Sequence, residues 1–186
     1  MNPLNPTPRF AAVSSAFAAL ASAAGAVIQL THDQSGVSTV EGFVEHLGLA
    51  LFSAMLLSVI APTAFIARRA TGDVRPAIFT AVAAVALASL ATISNVRGDD
   101  PSFFPVVAAP SVLTIFGSWI VIAVRGFRLE RMPKALMVGL PLIIVVSLPL
   151  SQFGGGMLAA AYWVAIAAYA LRGSAGTVGA PLAATA

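Results

Sequence analysis

The chain has 186 residues, of which 59% are hydrophobic and 9% are charged. Soluble domains carry about 25% charged residues, so this chain has too little charge to cover a water-facing surface. Its net charge is +3, but the basic residues lie in short clusters between apolar runs. Because they do not form one basic face, a nucleic-acid partner is excluded. The composition predicts an integral protein of the lipid bilayer, and it resembles the composition of bacterial multi-pass proteins.

Six apolar runs approach or reach the roughly 20 residues that a membrane-spanning helix needs. In chain order, runs one to six cover residues 10–30, 42–67, 77–94, 105–124, 135–150 and 154–171. They predict an all-α fold of six transmembrane helices, arranged as three hairpins with short loops. The predicted organisation is a short cytoplasmic N-terminus (1–8), a transmembrane domain (9–172) and a disordered cytoplasmic tail (173–186).

The basic residues predict the orientation of these spans. Nine of the ten lie before run one, between runs two and three, between runs four and five, or after run six. Only Arg97 lies on the other side. Because basic segments stay in the cytoplasm, we expect both termini there and the protein in the plasma (inner) membrane. Residues 18–26 also resemble the end of a secretory signal peptide, whose cleavage would leave five spans, but apolar character continues through Leu30 and favours a retained helix.

Small residues indicate which predicted helices pack closely, because helices in lipid associate through close backbone approach. Run three offers Ala84, Ala88 and Thr92. Run one offers Ala11, Ser15, Ala19 and Ala23, beside Ser14, Ala18, Ser22 and Ala26. We therefore expect runs one and three in the bundle interior and runs two and five facing lipid more. A helix-packing partner or a second copy of the chain on run one is the alternative. Pro110 and Pro141 each remove a backbone hydrogen bond inside runs four and five, where a simple kink is expected.

Two motifs near the outer ends of the runs predict where helices begin. Ser38 and Glu41 have capping-box spacing, which would begin the second helix at Ser38. Asp100 followed by Pro101 would begin the fourth helix, with Asp as N-cap and Pro in the first turn.

Polar and aromatic side chains near the outer ends predict a pocket that opens outward. The candidates for substrate binding are His32, Asn95, Asp99, Gln152, Tyr162 and Trp163. Trp119 and Tyr169 are assigned instead to the inner aromatic belt of the membrane. No ionisable side chain lies in the middle of a run, which argues against a proton pump or an ion-coupled antiporter.

Glu41, Glu45 and His46 are the candidate catalytic residues. An ionisable residue near the hydrocarbon boundary is costly unless it is paired, so Glu45 and His46 point to function. Glu41 and Glu45 are one helical turn apart, and two neighbouring carboxylates raise the pKa of one of them, which would supply a proton donor near neutral pH. The alternative is an interfacial Glu–His pair that reaches towards water.

These features favour a metal-independent acid/base enzyme of the isomerase or cyclase type, acting on an isoprenoid- or lipid-like substrate. Such chemistry needs a proton donor, an apolar cavity and aromatic faces. The absence of cysteine excludes thiolate ligands, and no cofactor or metal ion is expected. Two alternatives stay open: a non-catalytic membrane subunit or partner-binding protein, and a carrier or exporter of a small neutral compound.

Overall fold

A computed structural model of the chain describes residues 4–31, 40, 42–147, 149–150 and 153–175. Seven helices make up this part of the chain. They are α1 (Pro8–Thr31), α2 (Phe43–Ser58), α3 (Ile60–Thr71), α4 (Arg75–Arg97), α5 (Phe104–Leu129), α6 (Lys134–Ser147) and α7 (Gly155–Ala175). The predicted all-α membrane fold is confirmed. The predicted tail from residue 176 onwards lies outside the described residues, and α7 continues past Arg172 to Ala175.

Each predicted span corresponds to helix. Five segments are long and apolar enough to cross a membrane, namely α1, α2 with α3, α4, α5 and α7. The sixth, α6, is apolar but has only 14 residues, shorter than the roughly 20 needed for an untilted crossing. The multi-pass membrane architecture therefore rests on five full-length spans and one short one.

The second span is two helices rather than one. Its 29 residues are interrupted at Val59, between α2 and α3. The cause lies in Pro62, whose missing N–H cannot bond the carbonyl of Ser58 four residues earlier. The Ser58 hydroxyl turns back to the carbonyls of Ala54 and Met55 at 2.8 and 2.9 Å. Pro110 and Pro141 both lie inside continuous helices, and this break at Val59 was not predicted.

Two predicted helix starts are wrong. The N-cap of α2 is Gly42, so α2 starts after Glu41 rather than at Ser38, and both of those residues lie outside the described part of the chain. The N-cap of α5 is Phe103, so Asp100 and Pro101 precede the helix, and Pro105 is the proline of its first turn. Apolar composition predicted that these helices exist. Several short polar segments could each have supplied the N-cap, so the start of each helix was not determined.

The helices form a closed ring with one helix inside it. Contacts run in order around α1, α2, α4, α5, α6 and α7, and back to α1. Helix α3 contacts α1, α4 and α5, and nearly all of its residues from Ile60 to Ala70 are buried except Phe65 and the two arginines. The break at Val59 thus carries the second span from the ring into its centre. The expectation that this span faces lipid is wrong for α3, which is buried, whereas Leu56 is the one buried residue of α2.

The small-residue face of α1 packs closely against α7, but α1 and α4 belong to the ring, so the expectation that runs one and three lie in the bundle interior is wrong. Helix α1 makes its most extensive contact with α7, and its buried residues are all alanine or serine. At Gly156 of α7, an added Cβ would lie 2.8 Å from the carbonyl oxygen of Ser22 and 3.0 Å from Cβ of Ala26. The two backbones can approach this closely only because Gly156 has no side chain.

The two ends of the bundle differ in charge. One end, the arginine face, holds the N-terminus of α1, the connections α3–α4 and α5–α6, and the C-terminus of α7. There Arg125 pairs with Asp73 at 3.2 Å and Lys134 pairs with Glu130 at 2.8 Å. The hydrogen bond and the charge of Lys134 hold the pKa of Glu130 below its usual range. The other end, the Asp100 face, holds the C-termini of α1, α4 and α6 and the N-termini of α2, α5 and α7.

Candidate functional site

The half of the ring that α3 does not fill contains a cavity of about 500 Å³. All six ring helices contribute to its wall through the halves that lie nearer the Asp100 face, and Val59 contributes from the start of α3. The wall is mostly aliphatic, with Leu49, Met55, Ile115 and Ile144 among its members. Because α2 belongs to the ring and α3 lies inside it, the second span fills the centre of the ring at the arginine face and leaves the centre open towards the Asp100 face.

Two tryptophans form the deep part of the cavity wall. Trp119 of α5 and Trp163 of α7 are 4% and 1% exposed, and their rings meet edge to face with centroids 5.9 Å apart. Trp163 was predicted to bind substrate, and it lines the cavity. The assignment of Trp119 to the inner aromatic belt is wrong, because its ring is buried between helices. Tyr169 is half-buried against the core.

Two carboxylates lie at the end of the cavity nearer the Asp100 face. Glu45 is in the first turn of α2, and Asp100 is in the α4–α5 connection. The Asp100 carboxylate accepts a 2.6 Å hydrogen bond from the buried Ser94 hydroxyl. Gln29 and Ser147 also line this region. The cavity therefore has a polar end and an aromatic end, as an amphiphilic ligand would require.

Glu45 lies closer to the start of α2 than the predicted start at Ser38 implied. With Gly42 as N-cap, Glu45 is the third residue of the helix, which is the capping-box position. Its carboxylate folds back onto the start of α2, where a Cβ on Gly42 would collide with Oε2 of Glu45. Glu45 therefore lies within the capping turn and not, as the predicted start at Ser38 would require, more than one turn beyond it. The same side chain lines the cavity, so helix capping and a role in the cavity are compatible.

His46 and Asn95 meet each other outside the cavity wall. Nδ1 of His46 lies 2.5 Å from Oδ1 of Asn95, which joins α2 to the last turn of α4. Neither residue lines the cavity. His46 was predicted to be catalytic and Asn95 to bind substrate. Their geometry is an interhelical hydrogen bond of the kind that holds membrane helices together.

Five further candidates remain, of which two have surroundings away from the cavity and three lie outside the described residues. Asp99 pairs with Arg97 at 3.1 Å, with both side chains about half exposed. Tyr162 donates a 2.9 Å hydrogen bond to the carbonyl of Leu136 and packs beside Gly139, so it joins α7 to α6. Neither lines the cavity. His32, Glu41 and Gln152 lie outside the described residues.

The cavity wall contains two polar side chains that no other part of the described chain satisfies. Nε1 of Trp119 and Oγ of Ser22 are buried, and neither has a hydrogen-bond partner within the described residues. Both residues line the cavity. Leaving a buried polar group unbonded costs about 1–3 kcal/mol, so such groups signal a missing partner.

Sequence reasoning did not select Ser22, Asp100 or Trp119 for this site. Ser22 was read as part of a packing face, Asp100 as a helix cap and Trp119 as an interfacial anchor. The signal that could have identified these three residues was their position, because each of them lies within two turns of the Asp100 end or on the buried side of its helix. That signal becomes specific only when the helix rotations are known.

Comparisons with known proteins identify no relative of this chain. Family models, curated proteins and solved structures were searched, and none matches the chain.

Proposed function

We propose that this protein holds a lipophilic small molecule in the cavity between its membrane helices. The observation that supports the proposal is an apolar cavity whose wall includes two buried polar groups without partners. Ligand sites for small molecules are concave, mostly apolar, and about 300–1,000 Å³ in volume, with a few polar groups that orient the ligand. The cavity, at about 500 Å³, fits this description. A carrier and a sensor both need such a site, whereas a purely structural subunit does not.

Acid/base conversion of the bound molecule is the second candidate, and the position of Glu45 favours it. Glu45 lines the same cavity as Trp119 and Trp163. A carboxylic acid could protonate an isoprenoid- or lipid-like substrate, and the aromatic rings would stabilise the cation that forms. Loss of a proton to the same carboxylate would complete an isomerisation or a cyclisation without a metal ion.

The proposed setting is the plasma (inner) membrane, with the arginine face in the cytoplasm. The asymmetry of basic residues supports it. The chain has no cysteine, so single cysteines can report each side. In intact cells, Ser102→Cys should react with a membrane-impermeant maleimide and Pro133→Cys should react only after permeabilisation. Reaction of Pro133→Cys in intact cells would contradict this orientation.

Filling the cavity tests the proposed function directly. Gly25 lines the cavity, and an added Cβ there meets nothing within 4 Å. Gly25→Phe should therefore place a ring in the open space without moving the backbone. We expect at least a tenfold loss of affinity for the apolar dye diphenylhexatriene, measured in nanodiscs by energy transfer from tryptophan. The chain has two tryptophans, and both line the cavity.

The matched control is Gly117→Phe. Gly117 is an exposed glycine of α5 outside the cavity wall, and a Cβ there also meets nothing within 4 Å. This variant should bind the dye as the original protein does. Equal affinities in Gly25→Phe, Gly117→Phe and the unaltered chain would show that the dye does not enter the cavity and would overturn the proposal.

A further inference from the structure

We propose that the arginine face binds the anionic headgroup of a phospholipid in the leaflet that this face adjoins. The ligand class is a phosphate diester with a net negative charge and apolar chains. The inference goes beyond the cavity and does not depend on it, because none of the basic residues that carry it lines the cavity.

The arginine face concentrates the positive charge of the protein. Folding gathers basic residues from four separate segments at this end of the bundle. Nine basic residues and two acids lie there, so the side chains of this face carry a net charge of +7. Such a charge attracts anionic lipids over a Debye length of about 8–10 Å, which is the range of the headgroup layer.

Each acid of the arginine face is already paired with one base. Asp73 accepts a hydrogen bond from Arg125 at 3.2 Å, and Glu130 pairs with Lys134 at 2.8 Å. The other oxygen of Asp73 accepts a 2.9 Å hydrogen bond from the backbone N–H of Arg75. Four exposed arginines at the α3–α4 and α5–α6 connections therefore have no acidic partner for their side chains within the described residues, namely Arg69, Arg75, Arg128 and Arg131.

The two connections that carry these four arginines lie against each other. Nη1 of Arg131 is 3.6 Å from the position that a Cβ on Gly72 would take, and Gly72 is the C-cap of α3. The pair of Arg125 and Asp73 joins the same two connections. Arginines from distant parts of the sequence thus share one patch of the face. Their planar guanidinium groups can each donate two parallel hydrogen bonds to a phosphate.

Apolar side chains beside these arginines favour a lipid over a soluble phosphate. Phe127 and Leu129 flank Arg128 and are 44% and 48% exposed. Phe79, one turn after Arg75, is 60% exposed. All three lie on helices long and apolar enough to cross a membrane, where exposed apolar side chains contact acyl chains. A phospholipid would use the arginines and this apolar surface together, whereas free phosphate would use the arginines alone.

Lipid binding to the purified protein in detergent, measured by native mass spectrometry, tests the proposal. Phosphatidylglycerol and phosphatidylcholine with the same acyl chains differ in net charge, because choline neutralises the phosphate of the second lipid. We expect phosphatidylglycerol to bind at least fivefold more tightly. Arg69→Gln and Arg131→Gln should each weaken this binding about fivefold, the usual contribution of one basic residue beside anionic headgroups, and leave phosphatidylcholine binding unchanged.

Arg97→Gln is the matched control, because it removes one exposed arginine from the Asp100 face. It should bind phosphatidylglycerol as the unaltered protein does. The purified chain has already been inserted, so the effect of basic residues on orientation does not enter the measurement. Equal affinities for the two lipids, or the same loss in Arg97→Gln as in Arg131→Gln, would overturn the proposal. Inorganic phosphate that binds as tightly as phosphatidylglycerol would also overturn it, since the patch would then recognise a free anion.

Discussion

Gly156→Leu is expected to destabilise the helix bundle by about 3 kcal/mol, close to a 10²-fold shift in the folding equilibrium. The added side chain would meet the backbone carbonyl of Ser22 at 2.8 Å and Ala26 at 3.0 Å. A backbone group cannot rotate away as the end of a flexible side chain can, so α1 and α7 would have to separate. This pair forms the most extensive helix contact in the described chain, and its loss should spread through the ring.

The measurement is unfolding of the purified protein by denaturant in detergent, followed by helix content. Gly117→Leu is the control, since the same substitution on α5 meets nothing within 4 Å and faces outward. Gly117→Leu should unfold at the same denaturant concentration as the unaltered chain. Equal stability of Gly156→Leu would mean that α1 and α7 do not approach closely at this residue.

Much of the fold could be predicted from the sequence because lipid imposes few solutions. Backbone groups in lipid must be bonded within helices, so long apolar runs specify the helices directly. The small-residue face of run one also specified a close contact, since only alanine, serine and glycine allow it. The position of α3 could not be predicted. Pro62 predicts a broken hydrogen bond, but whether the chain then turns inwards depends on how the other helices pack.

The site was less predictable than the fold. Glu45 and Trp163 line one cavity, but their sequence positions do not show that they share it. His46 and Asp99 seemed equivalent candidates because both are polar residues near a helix end. The structure separates them, since His46 joins two helices and Asp99 pairs with Arg97 at the surface. Rotation of each helix about its axis decides these roles, and nearly uniform apolar runs carry little information about rotation.

Glu45→Gln is expected to lower turnover by roughly 10²–10⁴ if the protein converts the molecule that it binds, because a positioned proton donor or acceptor contributes about that much. The amide preserves the shape of the side chain and its place against Gly42, so α2 should still form. It cannot transfer a proton. The affinity for diphenylhexatriene should be unchanged, so the variant would lose turnover and not binding.

His46→Gln is the matched control for this rate effect. It lies next to Glu45 in the same helical turn but bonds Asn95 and does not line the cavity, so it should change turnover less than tenfold. The measurement is mass spectrometry of apolar extracts from membranes that contain each variant, taken as a time course. Compounds that change with the unaltered protein and not with empty membranes define the reaction. Turnover that persists in Glu45→Gln, or that falls equally in His46→Gln, would eliminate acid/base catalysis by Glu45 and leave ligand binding as the function of the cavity.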